Sequence, residues 1–265
     1  MTQGDGTGLV HSPRRAARVQ RVAKRRLSVV GILGELLITG GVLVLAFLGW
    51  QIWLGDLIMG TQLDSEGAQQ SQAWQGHDYG TGGATADPTD PPVQAPPANA
   101  VPFANLIIPR FGADFDRKIA QGIGVPDVLN KGFIGHYPTT QMPGELGNFA
   151  LASHRTSGGG NFHIIHELHV GDHIYVETQD GWYQYTFRNI EYVHPSGVGV
   201  IDPVPQFDGM EPTARYITLT TCNPFFSTAE RLIAFGVFDR FYPRETAAAN
   251  GGAPDEIAAT VTGAG

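Results

Sequence analysis

Apolar and polar positions fall into three patterns along this chain. Val29–Trp50 is continuously apolar, with Glu35 its only charge. As an α-helix at 1.5 Å per residue it would reach about 33 Å, enough to cross a hydrocarbon core. Trp50 and Trp53 stand where an interfacial aromatic belt falls, and Asp56 and Asp64 follow. The second pattern covers Val101–Arg244, where apolar runs are short and rich in β-branched residues. They are Ala104–Pro109, Asn148–Ala152, His173–Thr178, Trp182–Tyr192, Arg215–Thr221 and Leu232–Phe238. Turn signals separate them, such as Met142-Pro143-Gly144, Val170-Gly171-Asp172 and Gln179-Asp180-Gly181. Brief helices are expected at Asp116–Ala120, Pro126–Asn130 and Phe162–Leu168. Many short strands at close spacing predict a mainly β domain, a barrel or sandwich.

The third pattern has no periodicity. Residues 60–100 are Gln/Gly/Ser-rich, then pass through Asp90-Pro91-Pro92 and Ala95-Pro96-Pro97. Such a stretch reads as a linker, spanning roughly 35 Å root-mean-square as a coil. The Ala/Gly/Thr-rich end reads as disordered. The expected organisation is a basic tail (1–28), a membrane helix (29–53), a linker (54–100), a folded domain (101–244) and a disordered tail (245–265).

Composition sharpens this picture. Hydrophobic residues are 42% of the chain and charged residues 16%, so a packed core is available. With a single Cys there is neither an internal disulfide framework nor a multi-cysteine zinc site. The net charge of −8 conceals an asymmetry: Arg14, Arg15, Arg18, Arg21, Lys24, Arg25 and Arg26 all precede the apolar run. The rest of the chain is acidic, the opposite of a nucleic-acid footprint, so no nucleic-acid partner is expected. Basic residues before the helix and none shortly after predict a single pass, N-terminus in the cytoplasm and domain outside. A cleaved signal peptide would have a shorter apolar core of about 7–15 residues and a small-residue cleavage site.

The candidate chemistry centres on Cys222. It ends the run Tyr216-Ile217-Thr218-Leu219-Thr220-Thr221 and is followed by Asn223-Pro224, where a strand must stop. If the next strand, beginning at Arg231, pairs with it antiparallel, Cys222 and Arg231 stand nearly opposite with Cβ atoms about 5 Å apart. A guanidinium there favours a thiolate and can donate to an oxyanion. A buried structural Cys is the alternative. A thiolate nucleophile needs a proton donor for its leaving group. His154 ends a second strand beside Arg155-Thr156-Ser157-Gly158-Gly159-Gly160, a position from which catalytic groups project. His136 and His194 read as turn or surface residues. His163, His166, His169 and His173 invite a metal, but His166 and His169 are one residue short of the metalloprotease spacing, and no carboxylate is clearly placed as a further ligand. An exposed polar face accounts for them better, and neither metal nor cofactor is expected. Ser153-His154 lacks a nucleophile elbow.

Thr218-Leu219-Thr220-Thr221-Cys222 with Arg231 nine residues on resembles the signature of the sortases, cell-wall transpeptidases of Gram-positive bacteria. Ile134–Pro138, Met142–Phe149, His154-Arg155-Thr156 and Val200–Pro205 are similar to class E sortases of actinobacteria, as is Gly34-Glu35-Leu36-Leu37. Ser153, where that class has Gly, and Gly158-Gly159-Gly160, where bulkier residues are usual, depart from the pattern. The resemblance implies an eight-stranded β-barrel with short helices. It also implies Cys222 as nucleophile, His154 as acid, and Arg231 with Thr221 and Thr220 at the substrate and oxyanion. The implied substrates are surface proteins with a Leu-Ala/Pro-x-Thr-Gly-like C-terminal signal, and the acceptor an amine of a peptidoglycan precursor or pilin. Two other readings remain beside it: an anchored cysteine protease in which water resolves the acyl-enzyme, and a non-catalytic binding domain.

Overall fold

The β-rich runs pair into one closed sheet. The computed structural model describes residues 28–50, 55–75, 87–245, 248 and 250–262. The basic tail, Trp53 and residues 76–86 of the expected linker lie outside these. Helix α1 (Val29–Gly49) has mean hydropathy 2.3 and is long and apolar enough to cross a membrane.

Eight strands follow: β1 (Pro102–Ile107), β2 (Asp116–Gln121), β3 (Ile134–His136), β4 (Gly147–Ala152), β5 (His173–Thr178), β6 (Gly181–Val193), β7 (Arg215–Asn223) and β8 (Glu230–Pro243). Their order around the barrel is β1-β2-β3-β4-β7-β8-β6-β5. The β2–β3 and β4–β7 pairs are parallel and the others antiparallel. Period-2 alternation fills the interior: Ile217 and Leu219 of β7 meet Phe149 and Leu151 of β4, Leu232 and Ala234 of β8 and Ile119 of β2. Each large side chain so buried contributes roughly 1.5–3 kcal/mol. The opposite face of β8 is covered locally, where Val200 packs on Ile233 and Phe235.

Three expected helices are corrected. Asp116–Ala120 lies in strand β2, because Ile119 is needed in the core and tertiary pairing overrides local preference. Pro126–Asn130 and Phe162–Leu168 hold only the 3-10 turns Leu129–Lys131 and Ile165–Glu167. His136 is likewise corrected. It is a buried residue of β3 bonded to Gln121 Oε1 at 2.7 Å, and burial depresses its pKa to about 4.

Three segments outside the strands pack on the barrel where coil was expected. Helix α2 (Gly55–Gln75) has no apolar stripe, but Leu63, Gly67 and Ser71, spaced by four, make a narrow buried seam. At Gly67 the barrel comes so near that a Cβ would lie 2.2 Å from Asp116 O. Polar bonds secure the helix: Arg117 pairs with Asp64 at 2.7 Å and Lys118 with Glu66 at 3.3 Å. The Pro-rich stretch from Asp87 to Ala100 lies on the same barrel. Tyr183 donates its hydroxyl to Pro92 O at 2.6 Å, and Arg215 pairs with Asp90 at 3.0 Å. The end of the chain is also ordered over 250–262. Ala253, Ile257 and Val261 bury against Ile107, Tyr175 and Trp182, and α3 (Ala258–Thr262) closes it. Composition could not reveal these contacts, since each needs a partner far away in the chain.

Candidate active site

Strand register brings the predicted residues to one end of the barrel. In the β7–β8 pair Cys222 is the register partner of Arg231, with the loop Asn223–Glu230 turning between them. Cys222 is a half-buried free thiol. Arg231 donates Nη1 to the carbonyls of Thr228 and Glu230, both at 3.0 Å, so its own loop orients the guanidinium.

On the other side of β7 runs β4, parallel, with Ala152 partnered to Thr220. The pairing outlasts the strand: Ser153 N donates to Thr220 O at 3.2 Å, and Thr221 Oγ1 donates to Ser153 O at 2.8 Å. Two residues beyond Ala152 is His154; two beyond Thr220 is Cys222. His154 therefore follows directly on the last residue of this side tied to β7, at the end of the barrel where β7 presents Cys222. Thr220 ties the same elements deeper down. Its hydroxyl donates to Leu151 O at 3.0 Å, leaving the Tyr137 hydroxyl to donate to Thr220 Oγ1 at 3.1 Å.

Several residues at this end carry no spacing signal. Asn130, on the turn Leu129–Lys131, places Oδ1 3.0 Å from His154 Nε2. The Gly158 position, at φ +60°, lets the following loop close on His154. A Cβ there would fall 2.9 Å from Leu129 O and 3.3 Å from His154 Cδ2. Ser153 is buried and accepts from Asn161 Nδ2 at 3.0 Å. The two departures from the class E pattern thus support the histidine loop. Of the other histidines, His163 and His166 pack on Phe225, at 4.9 and 6.3 Å between ring centres. His173 bonds Glu256 at 2.6 Å on a different face. They do not line one helix.

A barrel with a parallel β4–β7 pair, a cysteine at a strand end and an arginine in register with it is the architecture of a cysteine transpeptidase family. The sortase domain model matches residues 106–239, and the chain belongs to the sortase family. It is 36% identical over 250 residues to sortase SrtE1 of Streptomyces coelicolor, covering 91% of this chain and 65% of that one. It therefore spans slightly less than two thirds of that relative's length. Among solved structures, sortase E1 of S. coelicolor with a tripeptide in its active site matches at a TM-score of 0.54 and 40% identity. That match covers 60% of this chain and 97% of the other. The SrtA sortase of Actinomyces oris matches at 0.57 and 35% identity, covering 63% and 96%.

Proposed function

We propose that this chain is a membrane-anchored transpeptidase acting on C-terminal sorting signals. The observation that carries the reading is the Cys222–Arg231 register, with the strand end leading to His154 bonded alongside through Thr221. Cys222 Sγ attacks the Thr carbonyl of a Leu-Ala/Pro-x-Thr-Gly-like signal. As the tetrahedral intermediate collapses the Thr–Gly C–N bond breaks, and His154 gives its proton to the departing glycine amine. Arg231 holds the carbonyl oxygen as charge develops, with the backbone of Thr221 beside it, its hydroxyl already given to Ser153 O, and Thr220 bracing the strand behind. An amine of a peptidoglycan precursor or a pilin lysine then attacks the thioester, returns a proton to His154, and releases the thiolate.

The catalytic domain is assigned to the outer face of the cell membrane, with the basic N-terminal tail in the cytoplasm. The Arg/Lys asymmetry around α1 supports that orientation, and substrate and lipid-linked acceptor both emerge there. The relative with a tripeptide in its active site supports a peptide substrate at the equivalent end of this barrel.

The test is mass spectrometry of the detergent-solubilised full chain with sorting-signal peptides and candidate amines. The expected result is an acyl adduct on Cys222 ending in Thr, transferred to added amine. Release to water alone, whatever amine is present, would make the chain a protease. No adduct with any signal peptide would overturn the enzymatic reading.

A further inference from the structure

A second line of contacts runs beside the three residues given chemical roles above. Arg155 follows His154, Asn223 follows Cys222, and Glu230 precedes Arg231. Arg155 Nη1 donates to Asn223 Oδ1, and Asn223 Nδ2 donates to Glu230 Oε2 at 2.8 Å. The Arg155 guanidinium also lies 4.0 Å from the Phe225 ring centre, on the loop that leaves Cys222. His163, on the loop that leaves His154, packs on the same ring, and its Nδ1 lies 3.2 Å from Arg155 O. Arg155 is only 6% exposed, and its Nε has no hydrogen-bond partner among the described residues.

That arrangement is costly unless it does something. A buried cation with few acceptors loses hydration that an apolar residue of similar size would not lose. The need arises where the ladder ends. The β4–β7 register ends at Ala152 and Thr220, prolonged only by Ser153; β7 itself ends at Asn223, and Pro224 has no N–H with which to extend it. Side-chain bonds must set the two exits relative to each other.

We infer that Arg155 is a positioning residue. Through Asn223 and Phe225 it fixes the segment after Cys222 against the segment after His154, and through Glu230 it extends that geometry to Arg231. The inference rests on the roles proposed above for Cys222, His154 and Arg231. A displacement of about 1 Å between reacting groups can cost on the order of 100-fold in rate.

The experiment is steady-state transpeptidation by the full chain in detergent, with a sorting-signal peptide and an amine. Arg155→Ala, Arg155→Lys, Asn223→Ala and the double variant Arg155→Ala/Asn223→Ala are compared, with Cys222→Ala as control. Each alanine variant should lose roughly 10- to 100-fold in kcat with KM within about twofold, since orientation and not binding is damaged. The double variant should be no worse than the poorer single, because both break one line. Arg155→Lys should recover only part of the loss, as an ammonium cannot bond and stack as a planar fork does. Should Arg155→Ala fold poorly, Arg155→Lys and Phe225→Leu carry the same comparison at near-native volume. A normal kcat in these variants, a loss confined to KM, or losses that multiply in the double variant would overturn the inference while leaving the functional reading intact. If the parent chain forms no thioester, or Cys222→Ala retains activity, both fall together.

Discussion

Ser71 Oγ lies 3.1 Å from Asp116 Oδ2, and both residues are fully buried where α2 meets the barrel. The same hydroxyl touches the Glu177 carboxylate and accepts from Asn105 Nδ2 at 3.0 Å. A serine has one hydrogen to donate, so two ionised carboxylates cannot both be satisfied. Glu177 has the Arg244 guanidinium at 2.7 Å, which leaves Asp116 to carry a proton. Burial first, then the facing Glu177, pushes the Asp116 carboxyl well above its usual range, and Arg117 offsets only part.

Docking of α2 should therefore weaken with rising pH. A carboxyl whose pKa is raised in the fold binds more protons there than in the unfolded chain, so stability falls as pH climbs from its ordinary value through the raised one. Glu177 and Asp64 are pushed up by burial too and act in the same sense. Thermal unfolding of the full chain between pH 6.5 and 8 should show a falling Tm, and Asp116→Asn should flatten the slope. A slope unchanged in Asp116→Asn would count against the shared proton.

On the acid side the sign reverses. His136 is held neutral with its pKa lowered to about 4, so the unfolded chain takes up its proton first and stability falls as pH drops below about 6.5. The full penalty is on the order of 3 kcal/mol near pH 4. Proton NMR should find one histidine ring titrating far below the others, and it should vanish in His136→Gln.

The chain end should behave as part of the barrel. Ile257 is fully buried among Trp182, Tyr175 and Val261, so Ile257→Ala should cost about 2–5 kcal/mol, read by urea unfolding. Removal of residues 250–265 should lower stability further and increase quenching of Trp182 fluorescence by acrylamide. A truncated chain as stable as the full one would show the packing to be incidental.

For the chemistry, Cys222→Ala should form no acyl adduct, because the chain has no other thiol. Arg231→Lys should lose about 100- to 1000-fold in kcat/KM although charge is kept, since a point charge cannot orient a carbonyl as a fork does. His154→Ala should lose comparably, with partial recovery on a substrate whose leaving group needs no proton. Near-normal turnover in Arg231→Lys would remove the guanidinium from the mechanism.

Orientation can be read directly. Protease added to intact protoplasts should digest the barrel and spare a tag at residue 2. The reverse pattern would invert the assignment drawn from Arg14–Arg26 and α1.

Local chemistry made some of this molecule legible from the chain alone. Period-2 runs marked most of the strands, and Pro224 marked where β7 ends, which put Cys222 opposite Arg231 before any coordinates. The apolar run of α1 declared itself because a helix satisfies its backbone within one segment. Long-range partners settled the rest. Asp116–Ala120 became a strand because β1 and β3 flank it; His136 was buried by Gln121 and Phe149. Helix α2 and the chain end looked like coil because their anchors are sparse, Leu63, Gly67 and Ser71 on the helix and Ala253, Ile257, Val261 and Glu256 at the end, and their value exists only against distant partners such as Asp116, Glu177, Trp182 and His173. Arg155 and Asn223, adjacent in sequence to His154 and Cys222, showed no motif of their own. A hydrogen bond between residues 68 positions apart is created by the closure of the β4–β7 pair, and periodicity along one strand cannot encode it.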